Sequence, residues 1–298
     1  MSSDWRSIYP FQSHFHQLPS HEASDSSSGP RMHYIDQGSG DQSVVCVHGN
    51  PTWSFTYRAI ATELHYEARV VAVDHVGCGL SDKPQRYTYT LRQHIANLSS
   101  LVRQLDLQRV TLVVHDWGGA IGMGMALENL PRIERIVLLN TAVFPPPYIP
   151  WRIAVCRFPL LGNIAMRGAN VFALAALRIT LYRLRRLAPE VVAGLIGPYG
   201  SWADRIAIAR FVQDIPRRSN QPTWQLLQSI EQSMAQLADR PARIVWGMRD
   251  WCFRPECMTR IAQLLPGAKL RRLEDVGHYV MEEAPHEVID EIRSCLSE

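Results

Sequence analysis

The sequence lacks the features that mark secreted, metal-stapled or membrane-spanning proteins. Its six cysteines show no CxxC spacing, so we expect no disulfide framework and no zinc site, but reduced thiols in a cytoplasmic protein. The first twenty residues contain no apolar core of a signal peptide. No run reaches the roughly 18 uninterrupted apolar residues that a transmembrane helix requires. We therefore expect neither a secretion signal nor a transmembrane segment.

The chain also lacks a strong charge of one sign. Its 31 basic and 28 acidic side chains leave a net charge of +3, which is too small to indicate a nucleic-acid partner. Hydrophobic residues make up 46% of the chain and charged residues 20%, a balance typical of globular proteins. A length of 298 residues accommodates one large α/β domain with an inserted subdomain.

Short apolar runs alternate with helix-like stretches along most of the chain. Strands are predicted at RMHYIDQG, SVVCVHG, RVVAVD, RVTLVVH, RIERIVLLN, ARIVWG and AKLRRLED. Helices are predicted at 54–66, 90–105, 117–129, 255–265 and 282–297. The polar residues 20–30 predict a surface loop. Strand–helix alternation with continuous apolar strands indicates an α/β fold, with a mostly parallel sheet covered on both faces.

The alternation stops between Phe144 and Ala238, where a Pro-rich junction is followed by a wholly helix-like region. We therefore predict an α/β core in two parts, residues 1–144 and 239–298, with a helical cap at residues 145–238. Core-covering helices are the plain alternative. A cap over a pocket at the carboxyl edge of the sheet is favoured, because open α/β folds bind ligands there.

The stretch VTLVVHDWGG places a carboxylate, Asp116, where a buried strand turns into a helix. Asp is a common helix cap, so one interpretation is purely structural. The other is a nucleophile on a sharp turn, with Gly118 and Gly119 allowing the helix to pack close to the strand. That context is the nucleophile elbow of α/β-hydrolases with Asp in place of Ser, although Val114 replaces the first Gly of that motif.

Two further residues favour the nucleophile interpretation of Asp116. Asp250 follows the penultimate predicted strand, and His278 follows the last one. Nucleophile, acid and base thus occur in the chain order that this fold requires. We predict a catalytic triad in which Asp116 attacks, His278 acts as base and Asp250 orients the base.

A pair of hydrogen-bond donors is predicted to flank Asp116. The HGNP motif after the strand SVVCV places Asn50 in the loop that forms the oxyanion site of this fold. Trp117 directly follows Asp116 and offers both its backbone and its indole N–H. Each residue has a structural alternative as a loop or packing residue. Together they predict a binding site for a departing anion.

These residues resemble the haloalkane dehalogenase family of α/β-hydrolases over nearly the whole chain. The resemblance rests on HGNPTWSFTYR, DHVGCGLSDKP, HDWGG, the acid after WG, and GHY. It implies the α/β-hydrolase fold, with a mostly parallel eight-stranded sheet and an inserted helical cap. The Asp116–His278–Asp250 triad with the Asn50–Trp117 pair is similar to the third branch of that family.

The cap segments FPPPYIPWRIAVCR, RGANVFALAA and IGPYGSWADRIAIARFVQDIP resemble the β-lactone decarboxylases of bacterial long-chain olefin biosynthesis, which belong to the same branch. This resemblance implies removal of CO2 from a cis-3,4-dialkyl oxetan-2-one to leave a cis-alkene. Haloalkane hydrolysis is the alternative. Asp116 attack on either the ring carbon or the ring carbonyl is compatible with the sequence. In both reactions Asp116 forms a covalent intermediate, and ester hydrolysis requires His278 as base.

Epoxide hydrolysis is a less favoured alternative, because the epoxide hydrolases of this fold usually carry an apolar aromatic residue at the position of Asn50 and need two cap tyrosines to protonate the epoxide oxygen. Tyr148, Tyr182 and Tyr199 are the candidates. No metal or phosphate motif is present, and we expect no cofactor.

The expected ligand is a hydrophobic small molecule. The Arg-rich cap stretch LRITLYRLRRLAP is predicted to be a solvated amphipathic face. Its sharper interpretation is a docking surface for a membrane or for a partner enzyme. The resemblance implies a homo-oligomer or a complex with pathway enzymes through the cap.

Overall fold

The computed structural model describes residues 4–20, 28–158 and 161–298. Most of the surface loop predicted at residues 20–30 therefore lies outside the described residues. The described chain forms one eight-stranded sheet, whose strands are β1 (His14–Gln17), β2 (Arg31–Gln37), β3 (Ser43–Val47), β4 (Arg69–Val73), β5 (Val110–Asp116), β6 (Ile133–Thr141), β7 (Ala242–Gly247) and β8 (Lys269–Leu273).

The strands lie in the order β1-β2-β4-β3-β5-β6-β7-β8. β2 runs antiparallel to both β1 and β4, whereas all pairings from β4 to β8 are parallel. The predicted α/β fold with a mostly parallel eight-stranded sheet is confirmed. Strand β1 was not predicted, because this four-residue edge strand buries only His16 and so leaves no apolar alternation in the sequence.

The helices are α1 (Arg58–Leu64), α2 (Leu91–Gln104), α3 (Trp117–Glu128), α4 (Trp151–Ala154), α5 (Leu161–Asn163), α6 (Val171–Ile179), α7 (Pro189–Ile196), α8 (Ile206–Asp214), α9 (Pro222–Ser233), α10 (Pro255–Leu264), α11 (Val280–Glu283) and α12 (Pro285–Leu296). Single 3-10 turns lie at Trp5–Ile8, Ser54–Tyr57, Leu130–Arg132, Val155–Arg157, Ala203–Arg205 and Met234–Leu237, and a π-helical turn at Ile164–Gly168. No helix in the described part of the chain is long and apolar enough to cross a membrane.

Helices cover both faces of the sheet, as its continuous apolar strands require. On one face α2, α3 and α10 enclose the larger hydrophobic core, and on the other α1 and α12 enclose a second core. Strand β5 separates these cores and is buried along its whole length. Its side chains alternate between them, with Leu112 and Val114 in the first and Val113 in the second.

Helices α4 to α9 all lie in the connection between β6 and β7. The segments around α4 and α6 line a cavity above the carboxyl edge of the sheet. Helix α9 instead packs on the core helices α2 and α3. The domain boundaries at residues 144 and 238 stay a prediction. We use "cap" for residues 145–238.

Candidate active site

The parallel strands bring the predicted site residues to one edge of the sheet. Asp116 ends β5, Asn50 lies three residues beyond β3, Asp250 three residues beyond β7, and His278 five residues beyond β8. Trp117 is the first residue of α3. The carboxyl ends of parallel strands share an edge, so residues far apart in the chain converge there.

The turn at Asp116 has the backbone geometry of a nucleophile elbow. Asp116 has φ +54° and ψ −128°, and its side chain makes no capping hydrogen bond to α3. A Cβ at Gly118 would lie 2.0 Å from the carbonyl oxygen of Val47, and one at Gly119 would lie 1.8 Å from Thr141 Oγ1. Glycine is required at both positions because the helix begins against the neighbouring strands. The positive φ of Asp116 is a strained backbone conformation, which is typical of functional sites.

The Asp116 carboxylate is held on one side and open on the other. Its Oδ1 accepts a hydrogen bond of 2.7 Å from the backbone N–H of Asn50. Oδ2 lies 3.8 Å from His278 Nε2. Burial raises the pKa of Asp116, although His278 and the nearby backbone N–H groups of Trp117 and Asn50 oppose that rise. The Asn50 N–H therefore orients a desolvated carboxylate whose other oxygen faces His278.

The imidazole of His278 is oriented by Asp250. His278 Nδ1 donates a 2.8 Å hydrogen bond to Asp250 Oδ2, which leaves Nε2 pointing toward Asp116. Asp250 Oδ1 accepts from the backbone N–H groups of Cys252 and Phe253. Burial acts to lower the pKa of His278, but Asp250 and Asp116 outweigh it and raise that pKa above the usual value. The structure thus brings the three predicted triad residues together in a base-and-orienter arrangement.

One residue that supports the triad was not predicted. Asn140, near the end of β6, donates from Nδ2 to Asp250 Oδ2 at 2.9 Å and to the carbonyl of Gly247 at 3.0 Å. Its Oδ1 accepts from the backbone N–H of Gly247 at 2.7 Å. Asn140 therefore positions Asp250 relative to β7. The only sequence signal was a polar residue closing the apolar run RIVLLN.

The side chains of Asn50 and Trp117 both line the cavity beside Asp116. Asn50 Nδ2 donates to the carbonyl of Ile208 in the cap at 3.2 Å, and its Oδ1 has no partner. One of the two amide hydrogens is thus committed to the cap, and the other remains for a ligand. The anion-binding role of this pair stays a prediction.

The cavity in front of Asp116 has a volume of about 420 Å³, within the range of small-molecule sites. Its walls are mainly apolar, with contributions from Ala142, Phe144, Phe172 and Leu227. The polar residues Asn50, Asp116 and His278 meet where the cavity reaches β5. Such a site suits a hydrophobic molecule with a single reactive group.

The cap tyrosines are poorly placed to protonate an epoxide. Among the described residues that line the cavity, Tyr148 is the only one of the three candidate tyrosines. Its hydroxyl donates to the carbonyl of Cys252 at 2.8 Å. Tyr199 donates to the carbonyl of Thr52, and Tyr182 is exposed. The paired donors that epoxide hydrolysis needs are not assembled.

The loop that carries His278 is fastened to the cap. The backbone N–H of His278 donates to the carbonyl of Thr180 at 2.9 Å. The buried carboxylate of Glu283 accepts from the backbone N–H of Gly277 at 2.6 Å, and from those of Tyr182 and Leu184 at 2.8 Å each. A single carboxylate thereby joins the base loop to the segment after α6.

Comparison with known proteins identifies the family of the chain. A sequence model of the alpha/beta hydrolase fold matches residues 42–285. The chain is 38% identical over 297 residues to a cis-3-alkyl-4-alkyloxetan-2-one decarboxylase of Shewanella oneidensis, covering 98% of this chain and 90% of that protein. It is 31% identical over 287 residues to haloalkane dehalogenase 2 of Mycobacterium tuberculosis, covering 94% and 93% of the two chains.

The structural comparison agrees with these sequence matches. The crystal structure of the haloalkane dehalogenase DatA from Agrobacterium tumefaciens C58 has a TM-score of 0.83 at 25% identity, covering 98% of both chains. The protein is thus an enzyme that belongs to the α/β-hydrolase fold family, in the group that includes the cis-3-alkyl-4-alkyloxetan-2-one decarboxylases and the haloalkane dehalogenases.

Proposed function

We propose that this enzyme removes CO2 from cis-3,4-dialkyl oxetan-2-ones and releases cis-alkenes in long-chain olefin biosynthesis. The observation that carries the proposal is a buried Asp116 carboxylate that opens into a mainly apolar cavity. The two alkyl chains match the apolar walls, and the strained lactone is the one reactive group that must reach Asp116. Near full-length similarity to a decarboxylase with this substrate supports the choice.

Two carbons of the lactone are open to Asp116. Attack on the alkyl-substituted carbon next to the ring oxygen breaks that C–O bond and gives an alkyl ester with a free carboxylate. Loss of CO2 then forms the double bond and returns Asp116 as a carboxylate, so this route consumes no water. Attack on the ring carbonyl would break the acyl C–O bond and give a mixed anhydride with a free alkoxide, which must transfer to the Asp116 carbonyl and form the same alkyl ester before CO2 can leave. In either route Asn50 and Trp117 face the oxygen that gains negative charge.

Haloalkane hydrolysis is the second candidate, and the Asn50–Trp117 pair is the observation that favours it. Asp116 displaces halide from an sp³ carbon, and the two donors stabilise the departing ion. Water must then cleave the aspartyl ester with His278 as base. Similarity to haloalkane dehalogenase 2 supports this activity on the same residues.

A two-substrate assay on the purified protein tests the proposal. One reaction contains a cis-dialkyl β-lactone and is followed by alkene formation, and the other contains 1-bromobutane and is followed by bromide release. We expect alkene formation to be faster by at least tenfold in kcat/KM, because the apolar walls bind two alkyl chains of the lactone and one of the haloalkane. Brisk bromide release without alkene would contradict the proposal and establish the second candidate.

Asn50→Ala is expected to lower kcat by about 100- to 1000-fold with both substrates, the usual effect of losing one oxyanion donor. The backbone N–H that orients Asp116 is retained in this variant, so the loss reports on the side-chain amide. Asn220→Ala, at an exposed position outside the cavity, is the matched control. A wild-type rate in Asn50→Ala would remove Asn50 from the anion site.

The partner and the compartment are also proposals. We infer a cytoplasmic enzyme, because all six cysteines are free thiols and reduced thiols are typical of that compartment. A homo-oligomer or a complex with pathway enzymes through the cap remains the partner prediction.

A further inference from the structure

The exposed apolar side chains of the protein are concentrated on the cap. Nine of the twelve large hydrophobic side chains that are exposed in the described chain belong to residues 145–238. Trp151 is 70% exposed and Phe158 is 62% exposed. Scattered apolar side chains are normal on a soluble protein, but their concentration on one surface indicates an interaction site.

These side chains surround the mouth of the cavity. Trp151, Val155, Val171 and Ile179 are exposed to solvent and also line the cavity. Phe158 and Leu174 lie beside them in the chain, are exposed, and do not line it. The entrance therefore opens through an apolar surface, which we call the mouth patch and define by these six residues.

The positive charge of the protein is concentrated on the cap. Residues 145–238 contain eleven arginines and four acidic residues, a net charge of +7 in a chain whose total is +3. The rest of the molecule is therefore net acidic. Among the described cap arginines only Arg183 forms ion pairs, with Asp275 and Glu287. Arg157 and Arg205 are occupied by backbone carbonyls, whereas Arg178, Arg185 and Arg186 are exposed and can reach an anionic partner.

Several of these unpaired arginines flank the mouth patch. Arg152 lies over the rings of Trp151 and Trp251 at the cavity entrance. Arg178 is exposed on α6, between Leu174 and Ile179 in the sequence. Arg185 and Arg186 are also exposed and follow α6 in the chain. An apolar centre with a cationic rim is the pattern of a surface that inserts shallowly into an anionic bilayer.

We propose that the cap docks on an anionic lipid surface with the mouth patch facing the bilayer. The mouth patch enters the acyl boundary while the arginines contact lipid phosphates. A second copy of this chain is disfavoured on this surface, because pairing two like faces would bring two +7 caps together, so the predicted homo-oligomer would use other surfaces. The biological role of this docking rests on the proposed function, because a dialkyl lactone would partition into the lipid and enter the cavity from there.

Vesicle sedimentation tests the docking proposal. The full-length protein is mixed with phosphatidylcholine vesicles that contain phosphatidylglycerol, and with phosphatidylcholine vesicles alone. We expect binding to the anionic vesicles that weakens as salt is added. Arg178→Glu/Arg185→Glu/Arg186→Glu should lower the partition coefficient at least tenfold, because each basic residue near an anionic surface contributes about fivefold.

The matched control is Arg92→Glu/Arg271→Glu/Arg272→Glu, which makes the same charge change at exposed positions on α2 and β8. It should retain most of the binding. Phe158→Glu probes the apolar part of the surface and should also weaken binding. None of these seven positions lines the cavity, so the rate with a water-soluble haloalkane should be unchanged.

Three results would overturn the proposal: no binding to anionic vesicles, equal binding to both lipid compositions, or an equal loss in the control triple variant. Self-association in solution that Phe158→Glu abolishes, without vesicle binding, would assign the surface to a second copy. Binding is measured without substrate and the two-substrate assay without vesicles. Either proposal can therefore fail while the other stands.

Discussion

Asp116→Ala is expected to abolish both alkene formation and bromide release, with rates reduced by at least about 10⁴-fold. Both reactions begin with a bond from the Asp116 carboxylate to a substrate carbon, and no other described carboxylate lines the cavity. The measurement is single-turnover product formation with each substrate, together with mass spectrometry of the intact protein. The wild-type protein should show a transient adduct, and the variant none.

The fold should survive this substitution, because it removes a carboxylate that burial disfavours. An unchanged thermal unfolding midpoint would establish that the loss is chemical. Asp239→Ala, at an exposed position before β7 and therefore at the opposite edge of the sheet, is the matched control and should retain wild-type rates. A substrate adduct on a residue other than Asp116 would refute the assigned nucleophile.

His278→Gln is expected to separate the two reactions. With 1-bromobutane the first attack needs only Asp116, so one equivalent of bromide per active site should appear. Steady-state turnover should then fall by about 10²–10⁴-fold, because water hydrolyses the aspartyl ester slowly without a general base. With the lactone, attack on the alkyl-substituted ring carbon leads to an intermediate that collapses without water. The decarboxylation rate should then fall less than about tenfold, well below the effect of losing a general base.

Rapid-quench kinetics with both substrates and mass spectrometry of the trapped ester check this separation. Asp250 keeps hydrogen bonds from Asn140, Cys252 and Phe253 in the variant, so its buried carboxylate is not left unpaired. An equal loss of both activities would contradict attack on that ring carbon. It would indicate that His278 takes part in forming or breaking the lactone intermediate.

The pH profile of bromide release depends on the His278–Asp250 pair. Base catalysis requires neutral His278, and Asp250 is the main group that raises the pKa of that imidazole against the effect of burial, whereas Asp116 adds to the rise only while it is a free carboxylate. The acid limb of kcat in the wild-type protein therefore lies at a higher pH than an unperturbed histidine would give.

The parts of the fold that were predictable are those with strong local signals. The run VTLVVH is buried on both faces of the sheet, and such a strand appears in the sequence as uninterrupted apolar residues. The turn at Asp116 was predictable because Gly118 and Gly119 follow it within three residues. The edge strand β1 was not, because its pairing with β2 fixes it rather than any pattern of its own.

The supporting shell of the site illustrates the same limit. Asn140 and Glu283 act through hydrogen bonds to residues that lie 110 and about 100 positions away in the chain. Nothing local distinguishes Asn140 from a strand-ending polar residue, or Glu283 from an exposed acid at a helix start. Only the tertiary structure reveals that both carry buried partners. The sequence motifs thus identify the groups that react, and the fold identifies the groups that hold them.

The fastening of the cap to the base loop has a mechanical consequence. Thr180 and Glu283 tie the segment after α6 to the backbone around His278. If this segment swings outward to admit a bulky molecule, it pulls on the imidazole that must face Asp116. In that case substrate entry and ester hydrolysis would require different positions of the segment. An ester formed while the segment is in place would face a correctly oriented His278, whereas displacement of the segment would turn that base away from Asp116.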